Sequence, residues 1–307
     1  MRTFLLTVRC CLGCQAVIVR EPVVAGRFYP ETRCACDSQI DEFLSANASP
    51  RELPSTLYGG IVPHAGWVYS GAVAVEVFRA LAASRQPDVL ILFGGVHGYR
   101  GRKAALFASG RWETPLGTVE IDARLAERIL SHTNLVTPDS HAHEEEHSLE
   151  VQLPFVQRLF PGVKVVPIMV PPTPAASEVG EAVARTIEVY DYHALVVGTT
   201  DLTHYGPQYG LVHRGVGVEA NAWAKNENDR RFIDLMCAMR STEVVAEANA
   251  RKNACNAGAV AATMRAALAL GASRGILLTH STSSKVARKL EKTESENSVG
   301  YCGIVFA

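Results

Sequence analysis

Residues 88–94 read Asp-Val-Leu-Ile-Leu-Phe-Gly, a short apolar run that ends in glycine. Such a run is typical of a β-strand that is buried on both faces, as in a parallel sheet. Further strand patterns lie at 57–63, 103–108, 164–170, 194–198, 275–280 and 299–306. Helical patterns lie at 70–84, 121–130, 148–160, 177–190, 219–239, 242–250 and 257–270. Their alternation predicts the α/β class, as a sandwich with a mostly parallel central sheet flanked by helices.

The size and composition of the chain fit one large domain. It has 307 residues, of which 48% are hydrophobic and 20% charged. This is enough apolar material for a buried core, which excludes a disordered chain. No linker rich in proline, glycine or serine divides the sequence. We therefore predict a single α/β domain over residues 21–307, preceded by a flexible, cysteine-containing extension over residues 1–20.

The charge balance and the cysteines limit the classes of function. Lys plus Arg number 30 and Asp plus Glu 31, so the net charge of -1 gives no support for a nucleic-acid or membrane partner. The 8 cysteines are too irregularly spaced for a disulfide framework, which favours a reduced, cytoplasmic setting. Arg9 interrupts the apolar start of the chain, which argues against an export signal. The pairs Cys11/Cys14 and Cys34/Cys36 have metal-ligand spacing, but no second standard Cys-x-x-Cys supports such a site.

Histidines follow several of the predicted strands. His64 comes after the strand at 57–63, His97 after the run at 88–94, and His204 after the strand at 194–198. Ligands of open α/β sheets bind beyond the carboxyl ends of the strands, so these side chains are candidates for metal binding or acid–base chemistry. Asp201 lies three residues before His204, where its carboxylate could orient the imidazole or cap a turn.

Two further features leave their alternatives open. The segment 141–150 contains three histidines and four glutamates, which suit a metal cluster or a charged loop before a helix. We expect His141 and His143 to lie on the surface. For His147 and Glu150, a place in the functional site and a purely structural role are equally compatible with the sequence. Cys255 precedes the alanine-rich helix, where a helix N-terminus favours thiolate, but a buried small hydrophobe is equally plausible.

Two common nucleotide-binding motifs are missing from the sequence. It has no Walker loop and no Gly-x-Gly-x-x-Gly. Their absence disfavours a nucleotide-binding interpretation.

An ordered set of motifs resembles the Memo family, whose bacterial and archaeal branch is called AmmeMemoRadiSam system protein B. The set consists of Val-Ala-Gly-Arg-Phe-Tyr-Pro at 24–30, Pro-His-Ala-Gly-Trp-Val-Tyr-Ser-Gly at 63–71, Gly-Gly-Val-His at 94–97, Glu-His-Ser-Leu-Glu-Val-Gln-Leu-Pro-Phe at 146–155, Thr-Asp-Leu-Thr-His-Tyr-Gly at 200–206, and Cys255. The resemblance spans about residues 20–307, and the order of the motifs makes it specific.

The resemblance implies a fold like that of the class III extradiol dioxygenases, which hold non-haem iron with two histidines and a carboxylate. Memo-like proteins have two histidines and a cysteine instead, and His64, His97 and Cys255 match these positions. His204 matches the acid–base histidine of the dioxygenases, with Asp201 in the same motif. A thiolate ligand suits iron or copper, with zinc as the alternative.

The remaining implications concern the rim of the site and the partners. His147, in a neighbouring shared motif, and Phe28 are expected to line the site. Phe28 stands where animal Memo proteins have Trp, and Asn256 follows Cys255 where Gly is frequent. The difference at Phe28 argues against transferring the phosphotyrosine-peptide binding proposed for the animal proteins to this chain. The difference at Asn256 puts the conformation of the turn after Cys255 in doubt. The family name suggests radical-SAM and AMMECR1-like proteins as partners, and a small molecule or O₂ as substrate.

The sequence leaves three functions open. The first is a metal-dependent oxidoreductase, dioxygenase-like, in which His204 moves a proton and Asp201 orients it. The second is a non-catalytic metal- or partner-binding protein on the same scaffold. The third is a hydrolase-like enzyme with Cys255 as nucleophile and His204 as base.

Overall fold

The computed structural model describes residues 7–9, 17–46, 52–292 and 294–307. The strands are β1 Thr7–Arg9, β2 Val17–Arg20, β3 Gly59–Val62, β4 Val89–Gly94, β5 Ala104–Leu106, β6 Arg111–Thr114, β7 Gly117–Glu120, β8 Val136–Pro138, β9 Lys164–Met169, β10 Ala194–Thr199, β11 His204–Tyr205, β12 Gly275–Thr282 and β13 Ser298–Phe306. The α-helices are α1 Arg33–Ala46, α2 Trp67–Ser84, α3 Ala123–His132, α4 Leu153–Leu159, α5 Ala176–Val189, α6 Val218–Trp223, α7 Arg230–Cys237, α8 Val244–Arg251, α9 Ala257–Ala269 and α10 Ser283–Glu291.

The main sheet has nine strands and is mixed. Its order is β11-β13-β3-β10-β4-β9-β5-β8, and β12 pairs with β13. The four central strands β3, β10, β4 and β9 are parallel to one another. The strands on one side, β13, β12 and β11, pair antiparallel, as does β5 with β9 on the other side. The predicted α/β class is therefore confirmed, with the parallel strands at the centre of the sheet.

The position of β4 at the centre of the sheet explains why residues 89–94 include no polar side chain. Ile91 and Phe93 pack into a core on one face, together with α5 and α9. Leu90 and Leu92 pack into a second core on the other face, with α2 and α4. Since successive side chains of a strand point to opposite faces, a strand between two helical layers must be apolar throughout.

A second, four-stranded sheet has the order β1-β2-β6-β7. The sequence patterns did not predict it, because its strands are only three or four residues long. β2 ends at Arg20, next to the predicted start of the main domain at residue 21. The division of the chain at that point stays a prediction, and Cys11 and Cys14 lie outside the described residues.

Several helices differ in detail from the predicted ones. The helix expected at 219–239 consists of α6, a π-helical turn at Ala224–Asp229, and α7. The helix expected at 148–160 starts as a 3₁₀ turn at Glu150–Gln152 before α4. Asp122 caps the N-terminus of α3, because its carboxylate accepts from the backbone N–H of Leu125 at 2.9 Å. In the described part of the chain, none of the helices has both the length and the apolar character of a membrane span.

Candidate metal centre and cavity

Three neighbouring strands of the main sheet deliver the candidate side chains. β10 lies between β3 and β4 and is parallel to both, so all three end at the same edge. His64 follows the end of β3, His97 follows β4, and Asp201 follows β10. This edge is the usual ligand-binding position of a parallel sheet, and the loops converge there as expected.

Three imidazoles form the centre of the site. One ring nitrogen of each of His64, His97 and His147 lies within 4.8 Å of those of the other two. The ring centroids are 5.2 Å apart for His64 and His97, 5.6 Å for His64 and His147, and 4.5 Å for His97 and His147. His147 lies in the turn that precedes the 3₁₀ turn at Glu150–Gln152 and α4. The structure thus resolves the open alternative for His147 in favour of the cluster.

Glu146 holds His97 in place. Its carboxylate accepts from the backbone N–H of His97 at 2.9 Å and lies 2.9 Å from His97 Nδ1. It also accepts from the backbone N–H of Ser148 at 2.8 Å. Burial acts to raise the pKa of Glu146, but these hydrogen bonds outweigh burial and lower it. A carboxylate on Nδ1 leaves Nε2 of His97 available for a ligand, which is the usual arrangement of a metal-binding histidine.

The environment keeps the other two imidazoles neutral. Burial, followed by the charge of His97, lowers the pKa of His64 to about 3. Burial and the neighbouring His64 lower the pKa of His147 to about 4. The pKa of His97 is raised, because its contact with Glu146 outweighs burial. Neutral imidazoles are the form that binds metal ions, so two of the three rings are ready to bind at neutral pH.

Asn256 sets the tautomer of His64. With its amide oriented so that the nitrogen donates to the Cys255 carbonyl and the oxygen accepts from the Gly95 N–H, both hydrogen bonds are satisfied. That oxygen then lies 3.5 Å from His64 Nδ1, which favours a proton on Nδ1 and a free Nε2. A Cβ at residue 95 would collide with this amide, which explains the glycine. Asn256 therefore supports the site.

Cys255 lies directly against the histidine cluster. Its Sγ is 3.4 Å from His64 Nε2 and accepts from the backbone N–H of Asp201 at 3.3 Å. The side chain is accessible to solvent, although its surroundings are densely packed. These surroundings and the charge of Asp201 raise the pKa of the thiol. The expectation that the N-terminus of α9 favours thiolate is therefore wrong for the metal-free protein.

Asp201 and His204 have different partners from those expected. Asp201 is buried and accepts from the backbone N–H of His64 at 2.8 Å. Burial raises the pKa of its carboxyl group. His204 is oriented by the carbonyl of Leu202, at 3.0 Å from Nδ1. Within the described residues no hydrogen bond joins Asp201 to His204, so the hypothesis that Asp201 orients His204 is wrong.

The histidine cluster opens into a cavity of about 580 Å³. Phe28 lines it, as predicted, and contacts the His147 ring edge-on at 4.9 Å. The other lining residues are His64, Ala65, Gly66, Tyr69, His97, His147, Asp201, His204, Gln208, Tyr209, Ser283, Ala287, Ser295, Asn297, Val299 and Tyr301. The last eight of these residues follow β11 or lie in the C-terminal part of the chain, and the sequence patterns indicated no function for them.

His141 and His143 do not line the cavity. His141 is on the surface and pairs with Glu144, as expected. His143, however, is fully buried: its Nε2 bonds to the Ala105 carbonyl at 3.1 Å and its ring packs on Phe107 and Trp112. The surface prediction for His143 is wrong, because apolar side chains of the second core surround it.

Glu150 has a structural role. It is fully buried, forms an ion pair with Arg20 at 2.7 Å and accepts from the Tyr29 hydroxyl at 3.0 Å. Of the two alternatives for Glu150, a place in the functional site or a structural role, its contacts support the structural role.

Comparisons with known proteins agree with the resemblance seen in the sequence. A family described as "Memo-like protein" matches residues 20–305. A MEMO1 family protein of Pyrobaculum arsenaticum is 34% identical over 94% of this chain and 99% of its own length. MTH_45 of Methanothermobacter thermautotrophicus, also a MEMO1 family protein, is 36% identical over 88% of this chain and 95% of its own. The solved structure of the uncharacterized Escherichia coli protein JW3007 is 12% identical, with a TM-score of 0.48, and covers 76% of this chain and 92% of that one.

Proposed function

Since the chain belongs to the Memo-like protein family, we propose that it is a metal-binding protein with its ion at the histidine end of the cavity. His64, His97 and Cys255 are the proposed ligands, and His147 is a further donor to the same ion. The observation that carries the proposal is the approach of three imidazole nitrogens to within 4.8 Å of one another, with a thiol 3.4 Å from one of them.

The donor set fits a transition-metal ion. Imidazole suits zinc, copper and iron, and thiolate selects copper(I), zinc and iron over hard ions such as magnesium or calcium. Bound iron or copper would supply a redox centre, whereas zinc would supply a Lewis acid. The side chains around the ion are held by Glu146 and Asn256, so the protein fixes the tautomers of His97 and His64 before the ion arrives.

We propose further that a redox or O₂-dependent oxidoreductase reaction takes place in the cavity. His204 lines the cavity, and its Nδ1 is held by the Leu202 carbonyl, which leaves Nε2 as a proton acceptor. His204 is the proposed acid–base residue. Asp201 contributes by holding the backbone of His64 and by placing a buried carboxyl group beside the site.

A specific observation favours a second candidate function, a non-catalytic metal-binding protein. His64, His97, His147 and Cys255 together provide four protein donors. Four protein ligands close a tetrahedral site, whereas catalytic sites keep an open position for water or substrate. A closed site would suit a role in binding partners, for which radical-SAM and AMMECR1-like proteins are the candidates.

We do not propose the hydrolase-like function. The thiol of Cys255 has a raised pKa, and its contact among the histidines is with His64. The described residues show no hydrogen bond between Cys255 and His204. A nucleophilic cysteine requires both a base within hydrogen-bond reach and access to thiolate.

Metal affinity tests the ligand assignment. We expect His64→Ala, His97→Ala and Cys255→Ala each to weaken binding of zinc or iron by more than about tenfold, measured by competition with a chromophoric chelator. His132→Ala, which removes an exposed histidine of α3, is the matched control and should bind as the wild type does. Unchanged affinity in both His64→Ala and Cys255→Ala would contradict the proposed site.

Cobalt substitution separates the two candidate functions. A four-coordinate cobalt site without water should give the same visible spectrum when azide is added, because no position is open. A site with an open position should change its spectrum with azide. If azide changes the cobalt spectrum of the wild type, the oxidoreductase is supported. If azide changes the spectrum only in His147→Ala, the closed, non-catalytic site is supported.

A further inference from the structure

The loop that leads into His204 is fixed by hydrogen bonds to the elements behind it. Leu202 donates its backbone N–H to the carbonyl of Gly300 in β13 at 2.8 Å, and its carbonyl lies 3.0 Å from His204 Nδ1. The carbonyl of Thr203 accepts from the N–H of Gly300 at 3.1 Å. The N–H of Thr203 donates to the Asp229 carboxylate at 2.9 Å. The backbone polar groups of Leu202 and Thr203 are therefore all bonded, as buried groups of this kind must be.

Asp229 and Asn228 reach this loop from the π-helical turn at Ala224–Asp229. They are 1% and 2% exposed. The Asn228 amide donates to the Thr203 hydroxyl at 3.0 Å, while Asp229 accepts from the N–H of the same residue. Neighbouring residues of an α-helix point about 100° apart. The wider π turn reduces this angle, and here both side chains converge on Thr203. Single π turns are rare and occur frequently at functional sites.

Asp229 has a second partner, His280 of β12. The other oxygen of the carboxylate lies 2.9 Å from His280 Nε2. A Cβ added to Gly300 would lie 2.1 Å from that same oxygen, so the carboxylate rests directly against the backbone of β13. Burial raises the pKa of Asp229, against the effect of its bonds with His280 and Thr203. The carboxyl group is thus enclosed on three sides, and an amide of the same shape is the substitution that disturbs this interior least.

We propose that Asp229 is a positioning residue for His204. It holds Thr203, and through Thr203 it holds the Leu202 carbonyl to which His204 donates its Nδ1–H. The lone pair of the ring that lines the cavity therefore stays on Nε2, where it can accept a proton, because the hydrogen bond of one ring nitrogen sets the state of the other. The inference rests on the proposed function, in which His204 is the acid–base residue.

The tautomer of His204 tests this role. In the full-length protein labelled with ¹⁵N-histidine, the ring nitrogens of His204 are identified by their loss in His204→Gln. We expect Asp229→Ala to shift the tautomer ratio of His204 at least about tenfold toward Nε2–H, read from the ¹⁵N shifts at about pH 8. Asp229→Asn keeps an oxygen acceptor for Thr203 and should show the tautomer of the wild type. A shift in Asp229→Asn as large as in Asp229→Ala would contradict the proposed hydrogen-bond mechanism.

Asp122→Ala is the matched control. Asp122 is also a buried carboxylate that accepts from a backbone N–H, that of Leu125, but it caps α3 and does not line the cavity. Its loss should lower the free energy of unfolding and leave the His204 tautomer unchanged. An equal tautomer shift in Asp122→Ala and Asp229→Ala would overturn the proposal, because the shift would then follow from lost stability alone.

Hydrogen exchange separates the bond to Thr203 from its effect on His204. The Thr203 amide should exchange at least about tenfold faster in Asp229→Ala than in the wild type. Faster exchange with an unchanged His204 tautomer would overturn the proposal, since Asp229 would then support the backbone only. If Asp229→Ala does not fold, Gly300→Ala decides, because the added methyl group displaces the same carboxylate. It should shift the tautomer in the same direction, and an unchanged tautomer in this variant would overturn the proposal.

Zinc titration of the wild type, on the same samples, separates failure of this inference from failure of the proposed function. Normal zinc binding with a His204 tautomer that ignores Asp229 contradicts the positioning role alone. Absent zinc binding with the expected tautomer shift contradicts the metal site and leaves the positioning role of Asp229 supported.

Discussion

At the scale of single residues, the candidate site depends on groups that themselves bind no ion. Glu146 accepts hydrogen bonds from both the backbone and the ring of His97. Asn256 contacts His64 Nδ1, and Asp201 holds the backbone of His64. Such contacts fix which imidazole nitrogen is free and where it points, so they set metal affinity without direct coordination.

Substitution of Glu146 tests this role. Glu146→Gln keeps the size of the side chain but removes the charge that orients and polarises the His97 ring. We expect zinc affinity to fall about 10–100-fold, read from chelator competition at pH 7.5. Glu144→Gln is the control, because Glu144 pairs only with the exposed His141 among the histidines. Equal affinities in the two variants would show that Glu146 has no orienting role.

The pH dependence of metal affinity tests the sulfur ligand. Since the pKa of the Cys255 thiol is raised above its ordinary value of 9.0, the metal-free protein carries the proton at neutral pH. An ion that binds the thiolate must release this proton, so affinity should rise with pH. Between pH 6.5 and 8.5, log affinity for zinc should rise about one unit per pH unit more steeply in the wild type than in Cys255→Ala. Parallel slopes would exclude Cys255 from the ligand set.

At the scale of elements, the segment between β8 and α4 carries Glu146 and His147, and Arg20 of β2 holds it. Arg20 donates to the carbonyls of His143 at 2.7 Å and Glu146 at 2.8 Å, and pairs with Glu150. Its guanidinium also stacks 4.1 Å from the centre of the Trp112 ring. The small sheet is therefore linked to the segment that carries His147 through a buried ion pair and two hydrogen bonds.

Loss of Arg20 should destabilise the whole protein. Arg20→Met leaves the buried Glu150 carboxylate without its cation, so we expect the free energy of unfolding to fall by about 3–5 kcal/mol, measured by urea denaturation with tryptophan fluorescence. Arg27→Met is the matched control, since the exposed Arg27 bonds only to a carbonyl of its own turn, and it should change stability by less than about 0.5 kcal/mol. Adding Glu150→Gln to Arg20→Met should recover part of the loss. No recovery would mean that packing, and not the buried charge, dominates.

At the scale of the whole molecule, the candidate ligands tie together parts of the chain that are distant in sequence. His64 follows β3 near the start, His147 precedes α4, and Cys255 precedes α9 near the end. An ion bound by these side chains binds the folded state and not the unfolded one. Its binding free energy therefore adds to the stability of the entire fold.

Thermal unfolding checks this linkage. Zinc at about 100 times its dissociation constant should add about 2.7 kcal/mol to the free energy of unfolding, and a chelator should reverse the gain. The stabilisation should fall to about 1.4 kcal/mol or less in His64→Ala at the same zinc concentration, because a site at least tenfold weaker is then at no more than about ten times its dissociation constant. His132→Ala should keep the full gain. A gain of equal size in His64→Ala would indicate that zinc binds elsewhere.

Much of the fold followed from local patterns. The apolar run at 88–94 and the strands at 164–170 and 194–198 were correctly predicted, because strands buried on both faces need continuous apolar sequence. The short strands of the small sheet, α1 and α10 were not predicted. These elements are short or half-exposed, so their hydrophobic residues do not recur at the regular spacing that identifies a helix or a strand.

The sequence alone determined the α/β class, the family, and the placement of His64, His97 and Asp201 after the ends of strands, because strand ends follow from hydrophobic pattern and family motifs. Only the tertiary structure decided that His147 joins the cluster while His143 and Glu150 are buried elsewhere. It also decided that Asp201 serves His64 instead of His204. These outcomes depend on side-chain directions in irregular turns and on contacts between distant segments, and neither leaves a periodic signal in the chain.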